Sequence, residues 1–90
     1  MRALMTAPLT IKLLYFAALR DLAGRDEETC TLPLEVRDVA ALRAWMNAHH
    51  GALAGRLASV RFAIDEAFAD EADALTDGAV VALIPPVAGG

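Results

Sequence analysis

The segment Ala79 to Ile84 (AVVALI) carries no polar side chain, and two prolines follow it at once. A short apolar run bounded in this way reads as a strand at the centre of a sheet. Asp77-Gly78 supplies a turn just before it. Pro85-Pro86 ends the pairing, because proline has no amide hydrogen to donate. In a chain of 90 residues only one hydrophobic core can close around such a strand. The apolar fraction is 57%, but 20 of those residues are alanine, so the core must come from thirteen Leu, six Val, three Ile and a few aromatics. That suffices for one two-layer domain and excludes a disordered chain.

The remaining elements follow from periodicity. Leu9 to Phe16 (LTIKLLYF) places Leu9, Ile11, Leu13 and Tyr15 on one parity, which predicts a strand with one wholly apolar face. Ala17 to Gly24 reads as a short helical turn stopped by its glycine, and Arg25 to Glu28 as a charged loop. Thr29 to Val36 alternates again, with Cys30, Leu32, Leu34 and Val36 inward. Pro33 assigns that strand to an edge of the sheet. Asp38 caps a helix running to about His49, whose positions Val39, Leu42, Trp45, Met46 and His49 share one face. Arg43 and Asn47 fall opposite. Residues 52–59 read as a loop, Val60 to Asp65 as a third strand, Asp65-Glu66 as a hairpin turn, and the residues around Phe68 as a short strand. A polar connection anchored by Leu75 leads to the last strand.

Strand, strand, helix, strand, short strand, strand, with one main helix on one face of a mixed sheet, is the α+β, β-grasp (ubiquitin-like) arrangement. Residues 1–8 are expected to be a loose extension, 9–84 the domain, and 85–90 an extended tail.

Several function classes are excluded. A formal charge of −4 and a pI near 4.9 disfavour nucleic acid and anionic membrane as partners. No apolar run approaches the ~18 residues of a membrane helix. One cysteine, Cys30, leaves no disulfide framework, iron–sulfur cluster or cysteine-rich zinc site. With no signal-peptide pattern, this points to a cytoplasmic location. Phosphate-binding glycine loops are missing. His49 and His50 are adjacent, so they point about 100° apart on a helix and cannot chelate one metal; they are expected to satisfy helix-end carbonyls. Cys30, on an inward parity, is expected to be an inert thiol. The acidic residues Asp65, Glu66, Asp70, Glu71 and Asp73 lack EF-hand spacing and read as solvated loop. No metal and no bound cofactor are expected.

What remains is the tail, Pro85-Pro86-Val87-Ala88-Gly89-Gly90. Prolines bias it to an extended conformation, and its small residues suit a narrow channel reaching at most ~20 Å. Here a resemblance becomes specific. Ile11 to Arg25 (IKLLYFAALRDLAGR), Val60 to Asp70 (VRFAIDEAFAD) and Leu75 to Gly90 (LTDGAVVALIPPVAGG) are similar to the opening strand, third strand and closing tail of the molybdopterin synthase small subunits, ubiquitin-like sulfur carriers ending in Gly-Gly. The likeness spans the chain from Leu9 onward. Asp65 stands where many members have Asn, Ala88 replaces the commoner Ser or Thr, and Met1 to Pro8 has no counterpart.

The resemblance implies that Gly90 is the reacting residue. An E1-like adenylyltransferase would use ATP to adenylate it, a sulfur donor system would convert it to a thiocarboxylate, and Pro85 through Gly89 would carry it into the synthase large subunit of a heterotetramer. There its sulfur would pass to cyclic pyranopterin monophosphate in molybdenum cofactor biosynthesis, so this chain would be a reactant with no catalytic set of its own. The parity opposite the helix carries Leu14, Phe16, Ala82 and Ile84, with Phe68 nearby, and such an apolar patch marks a partner surface. Phe16, Phe68 and Ile84 match apolar partner-binding positions of the family. A sulfur carrier for thiamine synthesis or tRNA thiolation, and a ubiquitin-like binding module with an inert tail, remain as alternatives; Pro-Pro-Val favours the molybdenum branch.

Overall fold

A computed structural model describes residues 7–86. The expected first and last strands form as read: β1 spans Thr10–Tyr15 and β5 spans Val80–Ile84. Between them lie α1 (Ala17–Ala23), β2 (Glu27–Thr31), α2 (Val39–His49), β3 (Arg61–Ile64) and β4 (Ala67–Ala69), with a single 3₁₀ turn at Gly51–Leu53. The five strands make one sheet in the order β2-β1-β5-β3-β4, so the apolar closing strand is central. It runs parallel to β1 and antiparallel to β3.

The alternation of each strand decides what the helix side receives. Ile11, Leu13 and Tyr15 of β1, Phe62 of β3, and Val81 and Leu83 of β5 are all at most 2% exposed. Val39, Leu42 and Met46 of α2 close over them in the same cluster, joined by Leu53 and Leu57 from the segment after the helix. Each such burial contributes roughly 1.5–3 kcal/mol of transfer free energy. Asp38 caps α2 as expected, its side chain accepting a hydrogen bond from the Ala41 amide at 2.8 Å. Gly24 ends α1 in the left-handed region (φ 76°), a conformation that strains any residue bearing a β-carbon. The hairpin between β3 and β4 turns on Asp65 and Glu66, both at positive φ. Asp65 tolerates this because its Oδ1 takes the Val80 amide at 3.0 Å.

Three local expectations are corrected. The second strand occupies 27–31 rather than 29–36, because the amides of the expected charged loop pair with β1: Leu13 lies opposite Glu28, and Leu14 opposite Glu27. It does lie at an edge, but it ends before Pro33, whose carbonyl instead closes a turn with the Val36 amide at 3.0 Å. With the strand ended, Leu34 loses its inward parity and is 45% exposed, while Cys30 is half-buried against the core rather than enclosed.

The two polar residues expected on the far side of α2 also belong elsewhere. Arg43 lies one helical turn from Val39, on the flank of the buried face. Its Nη1 donates to the carbonyls of Leu57 (2.6 Å) and Val60 (2.7 Å), and its Nε and Nη2 grip the Glu71 carboxylate. Asn47 accepts the Leu57 amide at 3.1 Å. Together they pin the irregular segment 53–60 to the helix.

Candidate functional site

Because β5 is central and parallel to β1, the chain leaves the sheet at one defined place. Ile84 lies opposite Arg61, the first residue of β3, and the Tyr15–Leu83 pairing brings Phe16 alongside Ile84. Pro85 and Pro86 follow, so the root of the tail stands between the β1–α1 junction and the loop entering β3. Val87, Ala88, Gly89 and Gly90 lie outside the described residues.

The sheet face turned away from α2 is the second component. Register sets Leu14, Ala82, Ala63 and Phe68 in one row across four strands. Phe16 and Ile84 extend this row toward the tail. Phe16 is 44% exposed and Phe68 60%, while Leu14, Ala82 and Ile84 are half-buried. The three residues expected to bind a partner therefore share one face, Phe16 and Ile84 beside the tail and Phe68 at the sheet edge. The Arg61 guanidinium lies 4.0 Å from the Phe68 ring centroid, which holds this exposed ring by cation–π attraction.

A third cluster has no sequence signal beyond its residue types. The Tyr15 hydroxyl and His50 Nε2 (2.5 Å) both meet Oε2 of Glu28, and Tyr15 and His50 are 3.1 Å apart. His50 thus serves a side-chain network rather than helix-end carbonyls. Burial works to raise the Glu28 carboxyl, but hydrogen bonds from Tyr15 and His50, helped by the charges of His50 and Arg25, outweigh it and hold the group below its ordinary 4.5. Burial and the same carboxylate push the Tyr15 hydroxyl up. Cys30 is also raised, first by burial and then by Glu28, so at neutral pH it is a thiol and a poor nucleophile. The cluster ties β1, β2 and the end of α2 together.

The acidic residues Asp65, Glu66, Asp70, Glu71 and Asp73 are all exposed, as expected of a solvated loop, and several have partners of their own. Asp65 receives Val80, Glu71 pairs with Arg43, and Asp73 accepts the Asp70 amide. Among the described residues no three His, Cys, Asp or Glu side chains gather as a metal site, and no helix is long and apolar enough to cross a membrane. Among the described residues, the root of the tail, Pro85 and Pro86, thus follows the central strand beside an apolar face.

Comparison with known proteins identifies the family. The ThiS family matches residues 13–90. A molybdopterin synthase sulfur carrier subunit from Chlamydomonas reinhardtii is 38% identical over 82 residues, covering 89% of this chain and 98% of its own. The Homo sapiens protein of the same description is 31% identical over 85 residues, covering 89% of this chain and 93% of its own. Among solved structures, molybdopterin converting factor subunit 1 from Pyrococcus furiosus superposes with a TM-score of 0.73 at 32% identity, over 88% of this chain and 99% of that one. A chain of the complex of subunits 1 and 2 of molybdopterin-converting factor from Helicobacter pylori shares the fold, with a TM-score of 0.63 at 23% identity over 91% of this chain and 100% of that one.

Proposed function

The chain belongs to the ThiS family, and on that premise we propose that it is the sulfur carrier subunit of a molybdopterin synthase. The observation that carries this reading is the place where the chain leaves the sheet. A central strand ends in Pro85-Pro86 beside an apolar face, in a chain whose two relatives above are both described as that subunit.

A carboxylate is a poor acyl electrophile. An E1-like adenylyltransferase therefore spends ATP to join the Gly90 carboxylate to AMP, releasing pyrophosphate. Sulfur from a donor system then displaces AMP, leaving a terminal thiocarboxylate. Proline favours an extended backbone at the root of the tail, and Ala88, Gly89 and Gly90 have small side chains or none to hinder entry into the large subunit. There the sulfur passes to cyclic pyranopterin monophosphate, and the acid–base groups belong to the partner. This chain binds no cofactor of its own in that scheme, and ATP is consumed by the activating partner. Phe16, Phe68 and Ile84 form the contact with the large subunit in a cytoplasmic heterotetramer.

Incubating the chain with ATP, sulfide and the E1-like enzyme, and then measuring its intact mass, tests the reading. One oxygen is expected to be replaced by one sulfur, and the product is expected to build the dithiolene when the large subunit and pterin are added. Deleting Gly90 is expected to abolish both steps while leaving the melting curve unchanged. A thiocarboxylate that forms but gives no dithiolene would assign the carrier to another thiolation pathway. A chain without Gly90 that retained full activity would refute the role of the tail.

A further inference from the structure

Between α1 and residues 55–60 lies an open groove of about 380 Å³. Leu19, Leu22 and Val60 give it an apolar lining, Arg56 and Ser59 are exposed along it, and Pro85 and Pro86 complete its wall. The groove therefore opens where the tail begins, on the helix side of the sheet, opposite the apolar face. Its shape is actively held, since Arg43 grips the carbonyls of Leu57 and Val60.

Arg56 is the unusual member. Among the described residues, Lys12, Arg20, Arg25 and Arg43 each pair with a carboxylate. Arg37 donates to backbone carbonyls, and Arg61 lies over Phe68. The Arg56 guanidinium has no such partner among them. In a chain of net charge −4, it offers an acidic group a local point of attraction on a surface that otherwise repels it.

We propose that the groove seats a segment of the synthase large subunit that bears a carboxylate beside an apolar side chain, with the carboxylate on Arg56. This rests on the reading of the chain as that synthase's carrier subunit. Any protein enclosing Val87 to Gly90 must close around Pro85 and Pro86, and these prolines are the groove's own wall. Phe16 directly precedes α1, and Ile84 directly precedes Pro85, so the open face and the groove are two sides of one root. A partner holding both sides aims the tail as well as binding it.

Titration calorimetry of the full chain against its large subunit tests this, with Arg56→Glu, Arg56→Ala, Ala58→Trp and Ile84→Asp compared with wild type. Arg56→Glu and Ala58→Trp are expected to weaken binding at least tenfold with unchanged melting curves, since both positions are exposed. Affinity of the wild type is expected to fall with added salt more steeply than that of Arg56→Ala. If both groove variants bind like wild type while Ile84→Asp does not, the groove's role is overturned and the subunit reading stands. Groove variants that impair only charging by the E1-like enzyme would overturn it equally. A wild-type chain that does not bind the large subunit overturns the subunit reading and the groove's role together.

Discussion

The two faces of the sheet are built from alternate residues of the same strands, yet they differ in what they leave unfinished. On the α2 side, Leu13, Phe62 and Leu83 are at most 1% exposed, and every large side chain has its neighbours within the chain. On the other side, Phe16 and Phe68 stand 44% and 60% exposed in a row with Leu14, Ala82 and Ile84. The first face carries folding free energy, and the second leaves apolar area exposed. A domain this small cannot satisfy both faces with one helix of eleven residues, and the uncovered face adjoins the tail.

Substitutions on the two faces should therefore separate stability from binding. Phe62→Ala is expected to cost about 3–5 kcal/mol of folding stability in chemical denaturation, because it leaves a cavity between β3 and α2. A loss under about 1 kcal/mol would show that this face is not tightly packed. Phe16→Asp and Ile84→Asp should give the opposite signature. Affinity for the large subunit is expected to fall by at least the roughly 1.5–3 kcal/mol of a buried apolar side chain, increased by desolvation of the new carboxylate. For Phe16→Asp the melting midpoint should move little, since aspartate at that exposed position stays hydrated. For the half-buried Ile84→Asp the loss of affinity should exceed the loss of stability. Binding equal to wild type would return these residues to a structural role.

The Tyr15–Glu28–His50 cluster sharpens the comparison at the rim of the covered face. Glu28 is held below its ordinary 4.5 in the folded chain, so its contribution is complete above pH 4.5 and is lost as pH falls through the lower folded value. Glu28→Gln is expected to cost about 1–3 kcal/mol at neutral pH and to flatten the acid limb of the stability profile. An unchanged acid limb would show that other carboxylates govern it. Cys30→Ala should have the smallest effect, roughly 1 kcal/mol of packing, with thiocarboxylate formation intact. A folded variant that could no longer be charged with sulfur would make Cys30 part of the chemistry.

Much of this architecture is legible in the chain itself. Period-2 alternation in LTIKLLYF and the unbroken apolar run in AVVALI are local properties, and they assign β1 and β5 their faces and positions. Asp38 announces the start of α2, and Pro85-Pro86 the end of pairing. The second strand is harder to place because Glu27 and Glu28 read as loop by composition, whereas β1 supplies their backbone partners. Arg43 reads as outward because its charge outweighs its spacing of one turn from Val39.

By itself, then, the sequence determined the parity of β1 and β5, the cap of the main helix and the end of pairing at Pro85-Pro86, since each depends on residues within a few positions of one another. Tertiary structure decided where long polar side chains find their partners: Arg43 on the carbonyls of Leu57 and Val60, and His50 on Glu28. Those contacts join residues 14, 17 and 22 positions apart. Their geometry exists only once the sheet has closed, because no local pattern specifies which distant partner a flexible polar side chain will meet.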